Sequence, residues 1–295
     1  MANRVCHAEY RNPVADNIDI WTSAQIQKNG VGRGNGSANQ TLYGIKKLRG
    51  LILELAVRGK LVPQDPKDEP ASVLLEKIAK EKTRLIKEGK IKKEKPLPGI
   101  SEDEKPFELP QGWEWVRLID IGILENGDRS KNYPNKSALV EKGIPFINAG
   151  HLQNGKINMA GMNYISNTRF NLLRSGKVKD GDILYCLRGS LGKTAIVHDI
   201  NSGAIASSLV IIRLFSQLYN QFIHCYFGSP LSISTMKKYD NGTAQPNLSA
   251  TDLGKFVIGL PPLSEQHRIV AKVDELMALC DKLEQQQADS NAAHQ

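Results

Sequence analysis

The sequence predicts a mixed α/β (α+β) protein, in which one strand-rich globular domain is flanked by helices. Residues 110–260 contain short apolar runs bounded by Gly, Asn and Asp turns, which is typical of strands. Residues 42–109 show helical periodicity followed by a charged connection. Residues 261–295 carry a heptad pattern that predicts a long, coiled-coil-like helix with a polar tail. We expect residues 1–41 to form a flexible arm, because the stretch 29–40 is rich in Gly and Asn.

The bulk properties narrow the function classes only modestly. The chain has 295 residues and a net charge of +8, which suits an anionic partner such as nucleic acid or a membrane surface. No apolar run approaches the ~20 residues of a membrane span, and the start lacks the apolar core of a signal peptide, so the expected location is the cytoplasm. The four cysteines are scattered without a CxxC pair, which indicates neither a zinc site nor a disulfide framework.

Two helices are predicted ahead of the strand-rich domain. The first carries an apolar seam over residues 42–58, and Gly59 is placed to cap its C-terminus. The second has Pro70 in its first turn and Gly89 at its end. Between residues 76 and 95, nine Lys/Arg stand against four Glu, a net charge of +5. This stretch predicts either a solvated amphipathic helix or a surface that follows nucleic-acid phosphates.

The strand-rich domain reads as strands with two short helices near its end. The predicted strands lie within 113–124, 143–150, 181–187, 194–197, 204–215 and 255–261, and the helices within 216–229 and 229–239.

The last helix is predicted to begin at Ser264, a residue type that caps helix N-termini well. Its apolar residues recur in steps of four and three, as in a coiled-coil seam. The seam either packs on the chain's own domain, with the helix at 42–58 as partner, or binds a second chain. The expected interface residues are Ile269, Val273, Leu276, Cys280 and Leu283 on this helix and Leu48, Ile52 and Leu55 on the earlier one.

The segment RGSLGKT at 188–194 is the nearest match to a phosphate loop. A Walker A motif needs Gly five residues before its Gly-Lys pair, where Leu187 stands, and a strand rather than a helix follows. Nucleotide hydrolysis is therefore excluded. The segment is either a plain hairpin turn or a turn that presents Arg188, Ser190 and Lys193 to a nucleic-acid backbone.

No catalytic or metal site is predicted. The sequence lacks HExxH, GxSxG, a glycine-rich methyl-donor loop and an Asn-Pro-Pro-aromatic tetrapeptide. A metal-dependent nuclease that uses Asp68, Glu88 and Lys90 is an alternative, although these residues would lie on the charged helix, away from any strand that could gather carboxylates around one ion.

Polar loops supply the candidates for DNA contact. Arg and Lys can pair with guanine, and Asn and Gln with adenine, although loops rich in these residues are also simply soluble loops. The candidates are Arg129, Lys131, Asn132, Lys136, Asn148, His151, Arg188, Ser190, Lys193, Thr243, Gln245 and Asn247.

Four stretches resemble the specificity (S) subunit of type I DNA restriction-modification systems. They lie at 48–82, 106–118, 181–197 and 241–284, and the last, which includes NGTAQPNLSATDLGKFVIGLPPLSEQHRIVAKVDEL, is quite specific to that family. The resemblance covers nearly the whole chain. It implies that 110–260 is a target-recognition domain, which reads one half of a split DNA sequence.

The resemblance also implies that residues 262–287 are a conserved spacer helix. The family pattern has two recognition domains, whereas this sequence carries one. We therefore expect either the N-terminal half of a longer subunit or a half-subunit that pairs with a second copy and reads a symmetric target.

The partners that the resemblance implies are double-stranded DNA, modification (methyltransferase) subunits and restriction subunits, with a homodimer through the C-terminal helix as a further possibility and no membrane. It implies no catalysis and no cofactor in this chain. S-adenosylmethionine would belong to the methyltransferase, which flips an adenine for N6 methylation, and ATP and magnesium to the restriction subunit. A helical scaffold without DNA specificity is the remaining alternative.

Overall fold

The computed structural model describes residues 26–27, 41–93, 96–242 and 245–293. Most of the predicted flexible arm lies outside these ranges. The helices are α1 Tyr43–Val57, α2 Ala71–Lys87, α3 Leu118–Ile121, α4 Asn167–Leu172, α5 Asn220–Gly228, α6 Pro230–Tyr239, α7 Ala250–Gly254 and α8 Leu263–Ala293. The strands are β1 Ile26–Gln27, β2 Thr41–Leu42, β3 Glu114–Arg117, β4 Gly122–Asn126, β5 Leu139–Val140, β6 Ile144–Ile147, β7 Leu152–Gln153, β8 Lys156–Ile157, β9 Asn163–Ile165, β10 Ile183–Cys186, β11 Thr194–Ile196, β12 Ala204–Ile205, β13 Leu209–Leu214 and β14 Val257–Leu260.

Two four-stranded sheets build the strand-rich part, which confirms the predicted mixed fold. The first sheet has the order β11-β10-β13-β4 and is antiparallel throughout. The second has the order β12-β6-β9-β5, with β12 parallel to β6. The apolar run of β13, LVIIRL, is buried along most of its length, as expected for a central strand.

The strands at the entry and the exit of this part of the chain lie side by side. β3 pairs antiparallel with β14, and Glu114 stands opposite Leu260. The chain therefore leaves the sheets where it entered them, and α8 starts directly beside the helices that precede β3.

α1 and α8 are in contact and run antiparallel. Arg49 of α1 donates to Asp281 at 2.6 Å and to Glu284 at 3.0 Å, whereas Asp68, which follows α1, accepts from Arg268 at 2.6 Å. As the N-terminal segment proceeds from Arg49 to Asp68, its contacts move from the C-terminal part of α8 to its N-terminal part.

The seam residues pack inside the chain, against its own helices. One apolar cluster includes residues of α1, α2, the sheets, α5 and α8. The other face of α8 is exposed and could contact a second chain. A subunit interface on that face stays a prediction. Of the expected interface residues, the buried ones are Leu48, Ile52, Ile269, Val273 and Cys280, and the partly buried ones are Leu55, Leu276 and Leu283.

The start of α8 differs from the prediction. The helix begins at Leu263, and the first-turn N–H of Gln266 donates to the Pro262 carbonyl at 2.9 Å, so that Ser264 is an exposed residue of the first turn and does not cap the helix. Glu265 is 1% exposed and accepts hydrogen bonds from Trp113 Nε1 at 3.0 Å and from the Gln64 side chain. Burial raises the pKa of Glu265, although these donors act in the opposite direction.

Three further boundaries differ. α8 continues through the predicted polar tail to Ala293, because the Gln and Ala residues of that tail favour a helix. The single strand predicted over 113–124 is interrupted by the helical turn α3. Pro70 precedes α2 in an extended conformation and so lies just before the first turn.

None of the helices in the described ranges is both long enough and apolar enough to span a membrane.

Candidate nucleic-acid interface

Five strand termini meet at one edge of the strand-rich part. Cys186 at the end of β10 stands opposite Leu209 at the start of β13, and the next residue of β13, Val210, stands opposite Asn126 at the end of β4. In the second sheet, Ile205 at the end of β12 pairs with Ile147 at the end of β6. The loops that leave these strands are thereby gathered. We name them together the loop edge, which comprises residues 127–133, 148–151, 187–193, 206–208 and 245–248.

Backbone hydrogen bonds connect the loops of the loop edge to one another. The Ala206 N–H donates to the Ile147 carbonyl at 2.7 Å, and the Leu187 N–H donates to the Ser208 carbonyl at 2.8 Å. The Leu248 N–H donates in turn to the Leu187 carbonyl at 2.9 Å. Buried backbone N–H and C=O groups need a hydrogen-bond partner, and here each loop finds its partner in another loop or strand end. The loops are therefore held next to one another.

The first loop is organised around a buried carboxylate. Asp128 is 4% exposed and accepts from the backbone N–H groups of Ser130 and Arg174, both at 2.6 Å. Burial opposes ionisation, but these hydrogen bonds prevail and hold the pKa of Asp128 below its usual value. Asp128 thus fixes the turn from which Arg129 and Lys131 extend into solvent.

The other candidates of this loop differ in their surroundings. Arg129 donates to the Ser207 carbonyl at 3.4 Å, and Asn132 donates to the Leu172 carbonyl at 3.1 Å. Lys136 is exposed and lies in the short 3₁₀ helix Lys136–Ala138 that follows. Arg129 and Asn132 therefore belong to the loop edge, and Lys136 lies beyond it.

Asn148 and His151 shape their turn rather than project from it. His151 is 7% exposed, its Nδ1 accepts from the Asn148 N–H at 3.0 Å, and its Nε2 lies 3.3 Å from the Gly161 carbonyl. This pattern matches the neutral tautomer with the proton on Nε2. The Asn148 side chain accepts from the Gly150 N–H at 2.8 Å. The two residues cap the 3₁₀ helix Ala149–His151, and base contacts by them stay a prediction.

The RGSLGKT segment joins two adjacent antiparallel strands, β10 and β11, so it is a hairpin turn. Gly189 and Gly192 have φ of 74° and 83°, which glycine adopts readily. Arg188, Ser190 and Lys193 are exposed on this turn. The geometry agrees with the exclusion of a Walker A loop, because no helix N-terminus follows the turn.

The turn at 188–193 is joined to the polar loop before α7. Arg188 Nε donates to Asn247 Oδ1 at 3.1 Å, and the Gly189 N–H donates to the Pro246 carbonyl at 3.2 Å. Asp240 accepts from the Asn247 N–H, and this bond helps to lower the pKa of that carboxyl. The side chain of Gln245 is exposed beside them, whereas Thr243 lies outside the described residues.

Two lysines that were not among the sequence-based candidates lie next to the same turn. Lys237 and Lys238 are exposed in the last turn of α6, and the preceding residue Met236 packs on Gly192. A basic pair at a helix C-terminus is also favourable for the helix dipole, so the sequence alone gave no reason to assign it to a partner. The loop edge thus carries exposed cations from two segments of the chain, and these two lysines add a third group of cations next to it.

The residues of the nuclease alternative are not gathered. Asp68 precedes α2 and Glu88 follows it, so the 17-residue helix, about 25 Å long, separates them. Each is engaged elsewhere, Asp68 with Arg268 and Glu88 with Arg84 and Lys90. Among the described residues, no group of three or more His, Cys, Asp or Glu side chains is placed to hold a metal ion.

Comparison with known proteins gives a consistent result. Residues 110–290 match the family model described as type I restriction modification DNA specificity domain. The chain is 40% identical over 291 residues to the EcoAI specificity subunit of Escherichia coli, covering 96% of this chain and 48% of that protein. The corresponding values for the EcoEI specificity subunit of the same organism are 42% over 287 residues, 96% and 47%. The chain thus spans about half the length of the curated relatives it matches.

A solved structure shares the fold. The HsdS subunit from Thermoanaerobacter tengcongensis superposes with a TM-score of 0.50 at 22% identity, covering 75% of this chain and 52% of that one. At this identity the likeness concerns the fold alone.

Proposed function

This chain belongs to the type I restriction-modification DNA specificity family, and from that premise we propose that it recognises a DNA sequence through the loop edge. The observation that supports the proposal most strongly is the convergence of loops from distant parts of the chain on one side of two sheets, with exposed cations on two of these loops and a further pair of exposed lysines next to them. The chain would recognise one half of a split target and bring partner enzymes to it.

The loop edge has the chemistry for both kinds of DNA contact. Exposed Lys and Arg side chains contact phosphates and set the register, whereas side chains with fixed orientation read base edges in the major groove. The bond between Arg188 and Asn247 fixes the guanidinium before DNA arrives, which reduces the entropy lost on binding. A guanidinium so placed suits the two acceptors of guanine.

The partners follow from the family. The chain would bind methyltransferase subunits, which carry S-adenosylmethionine, and restriction subunits, which use ATP and magnesium, and would supply targeting without catalysis. It would act in the cytoplasm, where these partners meet DNA. A second copy of the chain, bound through the exposed face of α8, would place two loop edges at a fixed separation on a symmetric target.

The test is selective binding by the chain co-purified with its methyltransferase subunit. Duplexes enriched from a random pool should share a motif. The double variant Arg188→Ala/Lys193→Ala should bind that motif more weakly and, because Lys193 is the one expected to contact a phosphate, lower the slope of log K against log salt by about 1. The matched control Lys46→Ala/Lys179→Ala removes two exposed charges away from the loop edge and should bind as the wild type does.

Enrichment without any motif would instead indicate a scaffold without DNA specificity. A double variant indistinguishable from the wild type would indicate that the loop edge does not contact DNA.

A further inference from the structure

The segment from Lys82 to Lys93 is the most basic stretch near the loop edge. It holds six Lys/Arg and one Glu, a net charge of +5. Its last residues, Lys90, Lys92 and Lys93, are exposed after the end of α2. Lys90 forms an ion pair with Glu88, but the lysine is 64% exposed, so this pair contributes little and can exchange for another anion.

This segment forms one wall of a groove. A depression of about 640 Å³ is lined by Lys82 and Lys93 on one side and by Asn126 and Thr251 on the other. A second depression of about 260 Å³ is lined by Lys82, Lys90 and Lys92. The two share Lys82, Ile119 and Leu124 and are therefore continuous. We name them together the lysine groove.

Lys82 holds the two walls together. Its Nζ donates to the Ile119 carbonyl at 3.0 Å and lies 3.9 Å from a carboxylate oxygen of Asp120. The other carboxylate in the lining, Glu125, is paired with Arg213 at 3.0 Å. The remaining lysines of the wall thus face a groove in which the acidic groups already have partners.

The far wall of the lysine groove leads directly into the loop edge. Asn126 is the last residue of β4, and the loop that carries Arg129 follows it. Thr251 lies in α7, which follows the loop that carries Asn247. One strand and one helix that adjoin the loop edge therefore border the groove, and a duplex that covers the loop edge can extend from Asn126 along the groove.

We propose that the lysine groove binds the sugar-phosphate backbone of duplex DNA that flanks the bases contacted by the loop edge. The proposal rests on the DNA recognition proposed above and extends it to a second, sequence-independent surface. DNA fits better than an acidic protein because the groove continues the loop edge, and a duplex presents a regular line of phosphates to flexible lysines. Asn126 and Thr251 add neutral hydrogen-bonding groups suited to phosphate oxygens.

The experiment compares three forms of the chain, each co-purified with the methyltransferase subunit. The groove variant is Lys90→Gln/Lys92→Gln/Lys93→Gln. The control is Lys46→Gln/Lys80→Gln/Lys179→Gln, which removes the same charge from exposed positions outside the groove. Binding to a duplex with the enriched motif and to a mixed-sequence duplex is measured by fluorescence anisotropy between about 50 and 200 mM salt.

We expect the groove variant to lower the slope of log K against log salt by about 2 to 3 and to weaken binding at least about tenfold. Both duplexes should be affected by the same factor, because phosphates carry no sequence information. The control should retain the slope of the wild type.

Three results overturn the inference. If the wild type distinguishes the two duplexes but the groove variant binds both as the wild type does, the lysine groove does not contact DNA and the proposed function stands. If the groove variant retains DNA binding but loses the methyltransferase subunit on purification, the groove binds an acidic protein surface. If the wild type binds no duplex, the proposed function fails together with the inference.

Discussion

At the scale of single residues, Arg117 shows how the connection before β3 is fixed. It is 5% exposed, and its guanidinium donates to both carboxylate oxygens of Glu104 at 2.9 and 3.0 Å and to the Lys255 carbonyl at 3.1 Å. The hydrogen bonds from Arg117, together with those from Ser101, lower the pKa of Glu104 from 4.5 to about 2. The pair attaches the charged connection to the end of the strand-rich part.

A pH-dependent loss of stability follows from this pair. Because the pKa of Glu104 is lower in the folded chain, the ion pair stabilises the fold fully above pH 4.5 and loses its effect as the pH falls towards about 2. Other carboxylates titrate in this range too, so the comparison is with Glu104→Gln. The variant should unfold more easily at neutral pH, and the difference in free energy of unfolding, measured with urea, should shrink on acidification. If the difference in free energy of unfolding stays constant with pH, the ion pair with Arg117 does not lower the pKa of Glu104.

The sequence predicted the types of residue at the loop edge better than their roles. Arg188 and Asn247 were selected separately, because 59 residues separate them and only the fold brings their side chains within hydrogen-bonding distance. His151 has the chemistry of a base-reading residue but is buried as part of a helix cap. Lys237 and Lys238 were missed because their proximity to the turn depends on Met236 packing against Gly192.

At the scale of elements, α1 and α8 stabilise the folded chain by packing their apolar seams inside it. Helical periodicity predicted both apolar seams, but it cannot say which helix covers a seam, because an intramolecular and an intermolecular partner require the same pattern. In the structure the residues that face inward, such as Ile52 and Ile269, are 1% and 0% exposed. Leu279, on the other side of α8, is 47% exposed.

A pair of truncations separates the two faces. Ile52→Ala should lower the free energy of unfolding by about 2–5 kcal/mol, because it leaves a cavity between packed helices. Leu279→Ala should change it by less than about 0.5 kcal/mol. Both values come from urea denaturation of the chain. Equal losses for the two variants would mean that the seam is not closed by α1.

Assembly through the exposed face of α8 has its own test. Leu276 is partly packed on the core, so a charge there affects both folding and association. Leu279→Asp should abolish self-association in analytical ultracentrifugation while the unfolding curve is retained, because it places a charge in an apolar contact. The control is Ile233→Asp, which changes another exposed apolar residue, in α6. Self-association that survives Leu279→Asp would place the contact elsewhere.

At the scale of the whole molecule, the loop edge forms because the paired strands are aligned so that their ends lie on one side of the sheets. The loops of the loop edge begin near residues 127, 148, 187, 206 and 245, and no local pattern relates them. They meet because β4, β6, β10 and β12 all end on one side, while β13 begins there. The sequence predicted most of these strands, but pairing and register depend on long-range contacts that one chain's periodicity does not encode.

The same geometry relates the loop edge to the lysine groove and to the helices. The basic stretch 76–95, which covers most of α2 and the residues after it, was open to two interpretations, a solvated helix or a phosphate-binding surface. Its position beside Asn126 and Thr251 favours the second, because the groove and the loop edge share these neighbours. One continuous basic surface would then run from the recognition loops towards the N-terminal helices.

The most direct measurement of the central claim is sequencing of adenine methylation in the DNA of cells that express this chain with its methyltransferase subunit. We predict one methylated motif, split into two halves, that disappears when Arg188→Ala/Lys193→Ala replaces the wild type and persists with the control Lys46→Ala/Lys179→Ala. Methylation that is absent, lacks any common sequence, or is the same for wild type and double variant would contradict recognition through the loop edge.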